Sequence, residues 1–420
     1  MDRSFPRSLV RLNITQFLGA FNDNLLKLLI IIHLIRVQGA ENAGIIAALA
    51  GASFVIPFLL FAAPAGCLAD RLPKSRLITA LKGVEVAVSL LAVGAFALGL
   101  ENGLYAVVFL MAGHSAFFAP AKYGIIPELV DKEELSRANG LIESCTFLGI
   151  IVGTALASLL ALLTVDRPWL AACFSLAVAL AGLWSASTIG ASEARDPARK
   201  IALFPAEIFR TINGIRADRD LMLAIIGLAF FMFVAAFTQL NLIGYGMERL
   251  GLDEARSGYL FLAAALGIGI GSLLSAKLSG RNVEFGIVPI GAAGITVSAL
   301  LLHAAPDNLA TCLAVIVLFG VSAGLFSLPL QTFIQFSADP ARRGEVLAAS
   351  TFISWVGIFL ASGVTYLFNK VLNLSAAGGF SALGTLTLIL TLLTFWVLPD
   401  FFLRFIALAA MHIFYRIRLV

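Results

Sequence analysis

"QFLGAFNDNLLK", residues 16–27, lies inside the first apolar run of the chain, and the fold depends on whether that run is a removable leader or a retained helix. The preceding "MDRSFPRSLVRLN" carries the basic residues that open a signal peptide. A leader, however, needs an uninterrupted apolar stretch and a small-residue cleavage site. Asn22, Asp23, Asn24 and Lys27 interrupt this one, and no clear cleavage site follows. The run reads instead as the first of a series of membrane helices.

Composition supports that series. Of 420 residues, 60% are hydrophobic and 13% charged, with a mean hydropathy of +0.96, far from the balance of a soluble domain. Apolar runs near the ~20 residues needed to cross a ~30 Å hydrocarbon core recur along the chain, divided by short polar breaks. Backbone in lipid must satisfy its own polar groups, so such runs are helices; a β-barrel would show short alternating strands. Twelve spans are predicted, at 12–35, 43–68, 76–99, 103–125, 137–163, 168–188, 221–246, 256–278, 284–302, 308–335, 344–371 and 377–398. The expected class is an all-α membrane protein. Cys67, Cys145, Cys173 and Cys312 share no metal-ligand spacing and read as small packing residues, so no metal or cofactor is expected.

Charge gives the orientation. Of the 29 lysines and arginines, 23 fall on one side of this layout, beginning with Arg3, Arg7 and Arg11. Five fall on the other, Arg36, Arg167, Arg249, Arg256 and Lys370, and Lys27 lies within the membrane. Positive loops stay inside, which predicts both termini in the cytoplasm. A polar stretch at 190–220 then divides a six-helix bundle at 1–189 from another at 221–398, followed by a cytoplasmic or interfacial tail at 399–420. The halves echo each other: "GHSAFFAPAKYG" from Gly113 and "GVSAGLFSLPLQTF" from Gly320, "FLGAFNDN" from Phe17 and "FVAAFTQL" from Phe233. Two parallel repeats around a central cavity form the alternating-access plan.

Polar residues inside the spans mark the candidate site. Asp23 lies about eleven residues into its helix, ~16 Å deep at ~1.5 Å per residue. A carboxylate there costs at least ~2.5 kcal/mol, so it faces water, a partner or a substrate. Lys27, one turn on, shares its face, and Asn22 and Asn24 add donors and acceptors. Two readings stand: a cavity-lining cluster that meets a polar headgroup, or an internal Asp23–Lys27 pair tying the helix to the bundle. A second cluster spans "FFAPAKYGIIPELVDKEELSRANGLIESCTF", 117–147, where a hairpin centred near Asp131 and Lys132 brings Lys122 and Glu143 to similar depth. They form a permanent salt bridge, or Lys122 is released to a substrate phosphate. Lys82 and Glu85 either join that network or, for Lys82, snorkel to the interface. In the second half Thr238, Gln239, Asn241, Gln331 and Gln335 are polar without charge, so the ionic chemistry is concentrated in the first half. His114 stands beside small residues of the fourth helix.

Between the second and third spans comes "GCLADRLPKSR", Gly66 to Arg76. It resembles the loop signature of the major facilitator superfamily, in which a glycine is followed four residues later by an acid and then by basic residues. Gly66, Asp70, Arg71, Lys74 and Arg76 occupy those positions, with Pro73 where the family usually has glycine. An acid at a helix end can hold a neighbouring helix N-terminus in one of two access states. The plainer reading is a positive inside loop that fixes topology. In the second half "GSLLSAKLSGR" from Gly271 has Ser275 for the acid, so the lock is expected on one side only.

Within that superfamily the chain resembles the bacterial lysophospholipid transporters. The resemblance covers essentially the whole twelve-helix region and is most specific in "QFLGAFNDN", "FAPAKYGIIPEL", "ANGLIES" and "GLFSLPLQTFIQ". It implies the major facilitator fold of two pseudo-symmetric six-helix bundles, located in the bacterial cytoplasmic (inner) membrane. It implies movement of lysophospholipids, notably lysophosphatidylethanolamine, from the outer to the inner leaflet, where they are reacylated. It makes Asp23, Lys122, Tyr123 and Glu143 the leading substrate-site residues. The tail "DFFLRFIALAAMHIFYRIRLV" looks like the linker that in fused members leads to a glycerophospholipid acyltransferase; that enzyme and an acyl carrier protein synthetase are the implied partners, alongside membrane lipids. The tail also fits an interfacial helix.

Two other functions use similar ingredients. A proton-coupled multidrug exporter would titrate Asp23. A membrane acyltransferase would need a histidine with an aspartate five residues on as base and orienter. The residues five after His33, His114, His303 and His412 are Gln38, Ala119, Asn308 and Ile417, and no nucleotide-binding loop is present, so an enzyme is not expected within this chain. Nothing in the sequence points to nucleic acid.

Overall fold

The computed structural model describes residues 6–39, 42–198, 206–279, 284–304 and 307–397. Twelve helices among them are long and apolar enough to cross a membrane. In the first half these are α1 (Arg7–Gln38), α2 (Ala43–Arg71), α3 (Lys74–Leu98), α4 (Glu101–Leu129), α5 (Leu135–Leu163) and α6 (Pro168–Ser187). In the second half they are α8 (Arg219–Leu250), α9 (Glu254–Ser279), α10 (Ile287–Ala304), α11 (Leu309–Ser337), α12 (Arg343–Tyr366) and α13 (Ala376–Val397). All twelve predicted spans are helical, each extended or shifted by a few residues where polar ends continue the helix. The tail at 399–420 lies outside the described residues, as do Arg3 and Arg281.

One element was not foreseen. Inside the 190–220 stretch, α7 (Ala206–Ile215) forms a short amphipathic helix that buries Ile208 and Ile215 and exposes Phe209. Its ten residues are too short and too polar to register as a span.

The described residues divide into two compact units. The first comprises the described parts of Met1–Asp131, Cys145–Leu223 and Ile334–Trp355; the second comprises those of Lys132–Ser144, Ala224–Phe333 and Val356–Val420. In the first, α1, α3, α4, α5 and α6 share an apolar core that includes Phe21, Leu25, Leu29, Val88, Phe96, Val107 and Met111. Small residues set its spacing. Gly149 and Gly153 of α5 pack against the α1 backbone at Phe17 and Phe21, where a methyl group would collide with main-chain atoms. In the second, Gly267 and Gly271 of α9 do the same against Val317 and Val321 of α11. The glycine runs at 149–153 and 267–271 thus do the packing their spacing suggests. Tight ends follow the same economy: Gly99 closes α3 in a left-handed conformation, φ +64°, so that α4 begins two residues later.

Candidate functional site

Inside the first unit, α1, α3, α4 and α6 meet around one polar cluster at mid-helix depth. Asn22 and Asp23 are consecutive on α1, so the helix turns their side chains about 100° apart, towards different neighbours. Asn22, 1% exposed, donates through Nδ2 to Glu85 Oε1 (3.0 Å) and towards Ser89 Oγ (3.4 Å) on α3. Its Oδ1 accepts from Ser175 Oγ on α6 (2.7 Å). Glu85 Oε2 takes the Lys82 ammonium at 2.5 Å. Lys82 is 1% exposed, with its ammonium 5.1 Å from the centre of the Phe118 ring. It fits because α1 has a glycine opposite it: a β-carbon at Gly19 would fall 2.5 Å from Lys82 Nζ. Lys82 therefore does not snorkel. Eight residues into α3 its head is held inward by Glu85, one turn on and equally buried.

Asp23 is half-buried and turned to α4, where its Oδ2 accepts from Ser115 Oγ at 2.7 Å. Lys27 does not close onto it as the i,i+4 spacing allowed; its ammonium lies over the Phe54 ring of α2, 4.6 Å from the centroid. It stays within electrostatic reach of Asp23, as do Glu85 and Lys82. Asn24 spends its amide locally, donating to the Ala20 carbonyl (2.8 Å). Lower on α4, Lys122 is 6% exposed and stacks its ammonium 4.1 Å from the centre of the adjacent Tyr123 ring. Glu143 sits half-buried on α5. The structure thus joins Asn22, Lys82 and Glu85 in one hydrogen-bonded set, with Asp23 attached through α4.

Four residues of this cluster were not marked as site residues: Ser89, His114, Ser115 and Ser175. His114 Nε2 stands 3.5 Å from Glu85 Oε2, and Nδ1 stands 3.4 Å from Ser115 Oγ. A signal was available. A histidine and a serine side by side at the middle of an apolar helix are costly to bury without partners, as Asn22 and Asn24 are.

The "GCLADRLPKSR" segment builds a second feature in the same unit. Gly66 and Asp70 lie one turn apart on one face of α2, and that face meets the start of α12. A β-carbon at Gly66 would stand 2.7 Å from Ala348 Cβ and 2.8 Å from the Gly344 carbonyl, so glycine sets the approach. Fully buried Asp70 then receives the Gly344 N–H at Oδ1 (2.6 Å) and the Glu345 N–H at Oδ2 (3.1 Å). These are free amides in the first turn of α12, where a carboxylate is favoured by the helix dipole as well. Lys74, also fully buried, bonds Glu128 Oε1 of α4 (2.9 Å), and Arg195 reaches the same oxygen (3.2 Å). Arg71 is half-buried and Arg76 exposed. Pro73, in the family's glycine position, precedes α3 and accepts the Leu77 N–H (3.0 Å).

Twelve membrane-length helices among the described residues, with ions buried at mid-span and a carboxylate latched onto a helix start, make the architecture of a secondary transporter. The chain belongs to the Major Facilitator Superfamily, whose family model matches residues 12–362. It is a multi-pass inner-membrane transporter. Among curated relatives, the lysophospholipid transporters LplT of Salmonella gallinarum (strain 287/91 / NCTC 13346) and Salmonella newport (strain SL254) are each 27% identical over 336 residues. The match covers 79% of this chain and 80% of theirs. The motif resemblance and these relatives point to the same branch. Solved structures share the fold. The E. coli fucose:proton symporter FucP superposes with a TM-score of 0.74 at 14% identity, covering 93% of this chain and 98% of that one. The human organic anion transporter MFSD10 gives 0.70 at 14%, covering 92% and 99%.

Proposed function

We propose that the chain is a lysophospholipid flippase, moving lysophosphatidylethanolamine-type lipids from the outer to the inner leaflet of the cytoplasmic membrane by alternating access, for reacylation. The observation that carries this reading is Asp23: a half-buried mid-span carboxylate with one oxygen held by Ser115 and the other, Oδ1, buried without a hydrogen-bond partner. An ammonium headgroup supplies the missing donors. Lys122 and Lys27 are the cations suited to the lipid phosphate, and Asn22, Asn24, Tyr123, Glu143 and the Lys82–Glu85 pair are the further candidate substrate-site residues. The relatives named lysophospholipid transporters support the substrate class. The Asp70 clasp on α12 acts as the conformational switch, with Gly66 setting the approach and Arg71, Lys74 and Arg76 the surrounding charge. The lysine and arginine asymmetry supports cytoplasmic termini, and the reacylating acyltransferase, fused or separate, is the downstream partner.

The test is uptake of labelled lysophosphatidylethanolamine by spheroplasts. Import above an empty-membrane control is expected, and import equal to the control rejects the reading. Asp23→Asn, expressed at wild-type level, should lower uptake about tenfold or more, the loss of one charge-assisted contact of ~1.5–3 kcal/mol. Normal uptake by that variant would remove Asp23 from the site. A multidrug exporter would instead extrude cationic dyes against a proton gradient and leave the lipid where it is.

A further inference from the structure

We propose that His114 and Glu85 hold a dissociable proton between them, and that Ser115 links this proton to Asp23, so that cation binding at Asp23 and proton binding at His114 oppose each other. The part concerning lipid rests on the function proposed above; the proton site itself does not.

The argument begins with counting hydrogens. Ser115 has one hydroxyl hydrogen, and at 2.7 Å from the carboxylate Oδ2 of Asp23, which only accepts, that hydrogen is given to Asp23. The contact of Ser115 Oγ with His114 Nδ1, 3.4 Å, then needs its hydrogen from the ring, which also donates to the Met111 backbone. A neutral imidazole carries one hydrogen, so with Nδ1–H towards Ser115 the other nitrogen, Nε2, is a bare lone pair. Nε2 faces Glu85 Oε2 at 3.5 Å and is buried with no hydrogen-bond partner. Two acceptors face each other with no hydrogen between them. One proton taken from water onto Nε2 fills that gap, turning the imidazole into an imidazolium that donates to Glu85 and to Ser115; no other bond is broken.

The surroundings fix the sign of the coupling. The charged groups acting on this ring directly are Glu85 and Lys82 from α3, with the Phe118 ring of α4 beside it; Asp23 of α1, bonded to Ser115, interacts in turn with Glu85, Lys82 and Lys27. Two anions balance two cations, so the extra proton makes the cluster net positive. Asp23, the partly exposed member of the path, offsets that charge when empty. An ammonium on Asp23 cancels the offset, and the proton leaves. Ser115 carries the same message through its hydrogen bond, because its hydroxyl is polarised by whatever Asp23 holds.

The experiment is a titration of the histidine ring resonances of the full chain, isotope-labelled on its four histidines and held in lipid nanodiscs, from about pH 4 to 9. One titrating ring should vanish in His114→Gln. Ser115→Ala, which perturbs only the ring it touches, provides the assignment if that variant does not fold. Asp23→Asn should move the His114 midpoint to lower pH, and saturating lysophosphatidylethanolamine should move the wild-type midpoint the same way. A His114 ring that does not titrate in this range, or that titrates identically in wild type and Asp23→Asn, overturns the proposal. If the lipid does not bind, the transport reading fails, and the Asp23→Asn comparison still decides the proton site.

Discussion

The helices α1, α3 and α6 and their counterparts in the second half, α8, α10 and α13, are joined by opposite chemistry. In the first set a buried ion pair, Lys82–Glu85, is bonded to Asn22 and, through it, to Ser175. In the second there are hydroxyls and an amide. Thr296 of α10 hydrogen-bonds Thr387 (3.1 Å) and Thr391 (2.9 Å) of α13, Asn241 of α8 donates to the Ala376 carbonyl (2.7 Å), and Tyr245 OH donates to the Leu302 carbonyl (2.8 Å). Glu248 of α8 also accepts the Ala376 N–H (2.7 Å), but it is exposed, so the second set shows that such helices can be held together without a buried ion pair. Neutral polar contacts suffice for packing between membrane helices, whereas buried ions are costly, so those of the first set point to work beyond packing.

The sharpest way to break that contrast is to remove an ion. Glu85→Ala leaves the Lys82 ammonium buried without its carboxylate and takes an acceptor from Asn22. Removing one partner of a buried pair costs ~3–5 kcal/mol. Thermal unfolding in detergent should show a large fall, and Lys82→Ala added to Glu85→Ala should recover part of it, because no orphan cation remains. Equal instability of the single and double variants would mean that Glu85 acts through packing alone.

A second contrast concerns the ends of α2 and α9. Asp70 closes α2 onto two amides of α12. Ser275, in the corresponding position of α9, is buried with an unpartnered hydroxyl, while the nearby contact with α5 is a glycine packing, Gly140 against Ala276 and the Ser272 carbonyl. Hydrogen exchange separates the two. Asp70→Asn should speed exchange at the Gly344 and Glu345 amides about ten- to a hundredfold, as loss of a charged acceptor worth ~1.5–3 kcal/mol implies. Ser275→Ala should change exchange in α5 and α9 by less than about twofold, the effect of a side chain without a specific partner. A large effect at both positions would show two latches where the sequence suggests one.

These contrasts were partly legible in the sequence. Hydropathy marked all twelve spans because lipid leaves a helix no alternative, and the spacing of Gly66 and Asp70 already described one face of α2. Thr238, Gln239, Asn241, Gln331 and Gln335 read as polar without charge, and among the described residues the ion pairs Lys74–Glu128 and Lys82–Glu85, buried on both sides, lie in the first half. Partner choice was not legible. Asp23 and Lys27 share a face, yet Lys27 turns to Phe54 and Asp23 to Ser115, because which neighbour reaches a side chain depends on helix rotation, which periodicity does not give. Lys82 looked close enough to the interface to snorkel until a glycine on another helix, Gly19, gave it an inward berth. Ser115 and Ser175 passed unmarked because serine is common in such helices and carries no charge to draw notice.

The smallest expected effect tests the neutral side of the comparison. Thr296→Val keeps the volume of the side chain and removes its hydroxyl, leaving Thr387 and Thr391 without that partner. Both keep a local acceptor, the Gly384 carbonyl for Thr387 (3.1 Å) and the Thr387 carbonyl for Thr391 (2.9 Å), so neither hydroxyl is stranded. Interhelical hydrogen bonds of this kind average ~0.6 kcal/mol in membranes, and the loss should be of that size when followed by the same unfolding assay. The reason is the reference state: a threonine that loses its cross-helix contact falls back on its own backbone, a retreat open to a hydroxyl and closed to an ammonium. A loss as large as that of Glu85→Ala would show that α10 and α13 depend on their hydroxyls as α1 and α3 depend on their ions, and the ionic cluster would then need no role beyond holding helices together.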